Sequence, residues 1–176
     1  PGAGLNACEL CESQLFYMTN HERTIERSRF AVTANMFALR DVFLAMGPFD
    51  PSLKSSGDRD WVQEAVRIGY SLAYVAEAIV LHPRRRTLDS LARKIRRLKG
   101  GMVALARKKP AARELWFSLR YTPLDIRLYR IPFTRNFSAS LWQRAQIAWL
   151  LLRLMVTGTA ETLRVWWGGA AYRGND

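Results

Sequence analysis

Apolar residues in the second half of the chain recur at helical spacing. Leu88, Leu91, Ile95, Leu98, Met102 and Leu105 step by three and four, which predicts a helix with one buried stripe after Pro83. Arg93, Lys94, Arg96, Arg97 and Lys99 fall on the opposite side. Gly100-Gly101 predicts a kink in its middle, since each glycine costs about 1 kcal/mol relative to alanine. A longer helix is expected over 139–166, where Gln143, Gln146, Arg153, Thr157, Glu161 and Arg164 share one narrow polar stripe. The rest of its surface carries residues such as Leu141, Trp142, Trp149, Leu150, Leu154 and Trp166. A helix that apolar is buried, partnered or laid into a membrane interface.

The first half is more broken. Residues 9–28 suit a helix that ends near the polar cluster His21–Arg29. Residues 30–38 alternate and are rich in aromatic and β-branched types, which predicts strand interrupted at Asn35. Arg40–Met46 reads as a short helix stopped by Gly47-Pro48. The turn formers of 47–57 make a loop. Asp60, with Gln63 three residues on, can cap a helix that Gly69 ends. Leu72–Val75 and Ala78–Leu81 then predict two short strands.

Charge changes this picture by dividing it. The net charge is +12 over 176 residues. Residues 84–135 hold 16 Lys and Arg against 3 Asp and Glu, whereas residues 1–83 hold 7 against 10. A basic block of this density favours polyanions: nucleic acid, anionic lipid headgroups or phosphorylated ligands. Two cysteines exclude a disulfide scaffold and fit a reducing compartment. Arg153 breaks the longest candidate membrane span, and no secretory signal is visible. The opening Pro1-Gly2-Ala3-Gly4 lacks a methionine, so the chain is expected to be a piece of something longer.

Candidate chemistry concentrates in Lys54-Ser55-Ser56-Gly57-Asp58-Arg59-Asp60-Trp61. Two carboxylates in a Gly/Ser loop at a helix start can hold a divalent cation or supply a general base. Equally, both can stabilise the positive end of the helix. Asp60 is the better cap and Asp58 the freer carboxylate. Cys8-Glu9-Leu10-Cys11 has metal-ligand spacing, but a structural zinc needs four ligands and no second cysteine pair exists. His82 closes the last strand before Pro83, where α/β sheets place ligands. Neither a Gly-x-Gly-x-x-Gly nor a phosphate loop is present.

An ordered series of segments goes further. Thr33-Ala34-Asn35 with Arg40 is followed by Gly47-Pro48-Phe49-Asp50 and Gly57-Asp58-Arg59-Asp60. Then come Arg67-x-Gly69-Tyr70, Leu72-x-Tyr74-Val75 and Ala78-x-Val80-x-His82. In order and spacing, residues 30–83 resemble the second half of the catalytic domain of family 2 glycosyltransferases, which have the GT-A fold. The resemblance implies an α/β, Rossmann-like architecture with Asp58 as catalytic base. It places Asn35 and Trp61 on the acceptor side and His82 near the metal or diphosphate. Many members have Glu-Asp where this chain has Gly57-Asp58. A Gln-x-x-Arg-Trp element of processive synthases is absent, which favours transfer of single sugars.

Such enzymes bind the nucleotide with an N-terminal half and hold Mg²⁺ or Mn²⁺ on an upstream Asp-x-Asp. Neither stands in these residues. The expectation is therefore a C-terminal part of the catalytic domain over 1–83, a basic amphipathic helix over 84–109 and a helical, membrane-associating extension over 110–176. The donor-binding half is expected to be missing, and residues 1–176 alone to transfer no sugar. The activity implied is inverting transfer from a nucleotide-diphosphate sugar to a hydroxyl acceptor, an envelope glycan or a lipid-linked one. The basic helix and Trp-rich tail would dock the chain on an anionic membrane surface, placing it in the cytoplasm at the inner face. The alternative is a non-catalytic peripheral membrane or partner-binding module. Nucleic-acid binding ranks last, because no aromatic-interleaved recognition element accompanies the charge.

Overall fold

A computed structural model describes residues 4–13, 21–109, 130–133 and 139–173. Six α-helices occur among them: α1 (Ala7–Cys11), α2 (His21–Ser28), α3 (Arg40–Met46), α4 (Gly57–Arg67), α5 (Leu88–Lys108) and α6 (Leu141–Trp166). Short 3-10 turns cover Thr33–Asn35 and Ile131–Phe133. The chain divides into two compact units, Met18–Pro83 on one hand and Pro1–Tyr17 with Arg84–Asp176 on the other.

The expected α/β, Rossmann-like GT-A architecture is not what the chain forms. Among the described residues there is no strand and no sheet. Residues 30–38 fold around a 3-10 turn, and 71–75 and 78–82 run without a ladder. The reason is that alternation sets only a local preference, while a strand exists through hydrogen bonds to a second strand. Here only some of the side chains find cover: Phe30 is buried and Met36 and Leu72 pack on α4, but Phe37 is 86% exposed and Leu81 93%.

In the larger unit, α5 packs along α6, and α1 adds a short third wall. Leu10, Cys11, Leu91, Ile95, Ile147, Leu151, Leu154 and Met155 form its core. Thr87 caps α5 by accepting the Ser90 N–H, as its hydroxyl suits. The Gly100-Gly101 pair does not end α5, which is one helix from Leu88 to Lys108. Glycine here serves close approach. A Cβ on Gly100 would lie 3.1 Å from Glu161 Oε1, and one on Gly158 only 2.9 Å from Ile95 Cγ2.

α6 begins with a capping box, Ser140 accepting the Gln143 N–H and Gln143 reaching back to the Ser140 N–H. It ends in a Schellman motif: Gly168 N–H donates to Val165 and Gly169 N–H to Arg164. The chain then returns along the helix pair, where the Tyr172 N–H donates to the buried Glu161. The 14–20 part of the helix expected over 9–28, and most of 111–137, lie outside the described residues.

In the unit Met18–Pro83, Trp61, Val62 and Ala65 of α4 form a small core with Met36, Val42, Met46, Phe49 and Leu72. α4 ends as expected at Gly69, whose positive φ closes a second Schellman motif through Tyr70 N–H to Ala65 and Gly69 N–H to Val66. Its start differs. The cap position is Ser56, so Asp58 and Asp60 both lie in the first turn, and Gln63 donates to the Ser28 carbonyl.

Candidate functional site

The start of α4 collects the residues singled out in the sequence. Ser56 precedes it in the left-handed region, φ +68°, and makes no side-chain cap. Acids in the next turn face the partial positive charge of the helix end, which favours both Asp58 and Asp60 there. Asp58 Oδ2 accepts the Thr33 N–H at 3.3 Å, and Oδ1 accepts the Arg59 N–H at 2.8 Å. The 3-10 turn Thr33–Asn35 is thereby held against the helix start. Asn35 Nδ2 in turn donates to the Ala78 carbonyl at 2.7 Å. Three segments, 33–35, 57–59 and 78, thus meet through two side chains.

Arg59 lies between the acids in sequence and stacks on Phe30, its guanidinium carbon 4.6 Å from the ring centroid. Burial pulls this guanidinium below its ordinary value, and the Asp58 charge opposes that fall. Trp61 sits on the inner side of the same turn. Its indole N–H donates to the Gly47 carbonyl at 2.8 Å. Phe43 and Phe49 pack on it with centroids 5.9 and 5.7 Å away. This aromatic cluster fixes where the first turn of α4 stands. His82 is exposed near the end of the unit, with Nδ1 2.9 Å from the Pro83 carbonyl.

Asp58 and Asn35 are therefore brought together through the Thr33 turn, and Trp61, three residues on from Asp58, is buried against Phe43 and Phe49. Among the described residues no group of three or more His, Cys, Asp or Glu is placed to hold a metal ion. Burial, with Cys8 and Glu12 nearby, pushes Cys11 up to about 12, and burial with Glu9 raises Cys8.

Two features escaped sequence reasoning. Ser56 rather than Gly57 takes the positive φ, with no signal beyond the Ser-Ser-Gly run. The other is Glu12, whose side chain is fully buried and takes hydrogen bonds from the Arg85 N–H, the Arg85 guanidinium at 3.0 Å and Lys94 Nζ at 2.8 Å. Burial alone would raise its carboxyl, but these donors hold it below the usual carboxylate range. The signal was available: an acid in an apolar N-terminal turn of a chain rich in arginine.

Over 121 residues the chain is 30% identical to Glycosyltransferase AglE of Haloferax volcanii, a match covering 69% of this chain and 33% of that protein. The chain is related to a glycosyltransferase. It spans about a third of the length of that relative. No family model matches the chain, and no solved structure matches it. The glycosyltransferase kinship and the resemblance carried by residues 30–83 agree at this level.

Proposed function

We propose that this chain is the acceptor-side part of a family 2-like glycosyltransferase, with Asp58 as its general base. The single observation that carries this is the 30% identity to a named glycosyltransferase over most of the chain. The geometry at Asp58 supports it: the carboxylate heads α4, positioned by the Thr33 N–H from a separate segment. In the reaction, a hydroxyl of the acceptor loses its proton to the Asp58 carboxylate as its oxygen attacks the anomeric carbon. The new C–O bond forms while the bond to the nucleotide diphosphate breaks, and the diphosphate leaves with the electron pair. Attack opposite the leaving group inverts the anomeric centre. Asn35 orients the acceptor side from the turn it closes, and Trp61 shapes that side from beneath through its aromatic cluster. The nucleotide-diphosphate sugar, the divalent ion and their binding residues belong in this reading to sequence beyond these 176 residues.

The test is Asp58→Asn in the native protein that carries this chain, assayed for sugar transfer. Asparagine keeps an acceptor for the Thr33 N–H, so the fold is expected to persist, as circular dichroism would check. Loss of a general base lowers the rate by about 10²–10⁴-fold. Transfer at the wild-type rate by the folded variant removes Asp58 from the role.

A further inference from the structure

α6 is apolar on two opposite faces. One face, with Ile147, Leu151, Leu154 and Met155, is buried against the rest of its unit. The other shows Trp142, Trp149, Leu152, Val156, Leu163 and Trp167, all exposed, at steps of three, four or seven residues. Trp142 is 72% exposed and Trp167 79%. The stripe spans 25 residue steps, about 37 Å at the α-helical rise. A helix that only packs on its own core needs one apolar face, and the second is left uncovered. No helix among the described residues is long and apolar enough to cross a membrane.

Among the described residues, the exposed charges named around the stripe are cations. Arg153 stacks on Trp149, its guanidinium carbon 5.2 Å from the ring centroid. Arg107, at the end of α5, lies 5.7 Å from the Trp166 ring and donates to the Trp166 carbonyl. Lys108 beside it and Arg164 on α6 are exposed. The single acid of α6, Glu161, is turned inward at 5% exposure and is bonded to Arg164 and the Tyr172 N–H. Two copies pressed together through this face would set cation against cation, whereas an anionic bilayer meets both halves of its chemistry. Indoles seat at headgroup depth, leucine and valine enter the acyl boundary, and guanidinium groups meet lipid phosphate.

We infer that α6 lies flat on an anionic membrane surface through this stripe, with Arg107 and Arg153 engaging lipid phosphates. The inference needs no sugar transfer and stands or falls apart from the transferase proposal. Its test uses this chain with vesicles of phosphatidylcholine alone and of phosphatidylcholine mixed with phosphatidylglycerol, read by co-sedimentation. Binding is expected only with phosphatidylglycerol and is expected to weaken as salt rises. Trp142→Ala, Trp149→Ala and Trp167→Ala combined should keep the helical spectrum, since all three rings are exposed. Each seated indole is worth on the order of tenfold in partitioning, so the triple variant should bind at least about a hundredfold more weakly. Arg153→Gln should lower affinity and flatten the salt dependence. Equal binding to both vesicles, undiminished binding by the triple variant, or no binding at all overturns the inference. So does a concentration-dependent dimer that the triple variant abolishes, which would assign the stripe to a second copy.

Discussion

Single residues set the sharpest expectations. Ser56 holds φ +68° with no side-chain hydrogen bond to its helix, a conformation that L-residues adopt at a cost of about 1–2 kcal/mol. Glycine carries no such cost there but loses more backbone entropy on folding. Ser56→Gly is therefore expected to leave stability equal or raise it by up to about 1 kcal/mol, and Ser56→Val to lower it, in urea titrations of the chain. Glu12 gives the stronger effect. Its buried carboxylate neutralises Arg85 and Lys94, and burial pulls Lys94 down even with that partner present. Glu12→Gln leaves two cations without a counter-charge and should cost about 3 kcal/mol at neutral pH. The sign with acid follows from the lowered carboxyl. Its contribution is complete above the ordinary value of 4.5 and is lost as pH falls through the lower folded value. Wild-type stability should drop in that window, and the variant's should be flatter there.

At the scale of elements, the close pairing of α5 and α6 depends on Gly158. A side chain there meets Ile95 Cγ2, a stiff β-branched group in the core, and Lys99 Cγ at 3.3 Å. Gly158→Leu is expected to lower unfolding free energy by about 1–3 kcal/mol through overpacking. Gly158→Ala should cost less, because better helix propensity offsets part of the clash. Thermal unfolding of the two variants would rank them. These long helices were legible in the sequence because their signals are local: a three-four apolar step along α5 and one narrow polar stripe along α6. The segments 30–38, 72–75 and 78–81 were not, because alternation cannot say whether a partner strand is in register. The candidate site divides the same way. Asp58 and Asn35 were marked by motif and order, whereas the Thr33 N–H that joins them depends on a contact between residues 25 positions apart.

Over the whole molecule, a charge of +12 on 176 residues makes the folded chain repel itself. The Glu12 cluster is buried and weakly screened, while pairs such as Arg67–Glu64 are open to solvent and contribute little. Salt therefore removes more repulsion than attraction, and the thermal midpoint should rise by about 2 °C or more as sodium chloride is raised from low to physiological concentration. A midpoint that falls with salt would show that the exposed pairs dominate after all.

The extended run from Ser71 to His82 also sets a clock. Among the described residues, the backbone hydrogen bond inside it is Ala78 N–H to Val75, and most of its side chains face solvent. Amides in such a run exchange with solvent without waiting for any unfolding, while those of Leu151–Met155 exchange only when the helix pair opens. Placed in deuterated buffer, the chain would label this run well before the middle of α6.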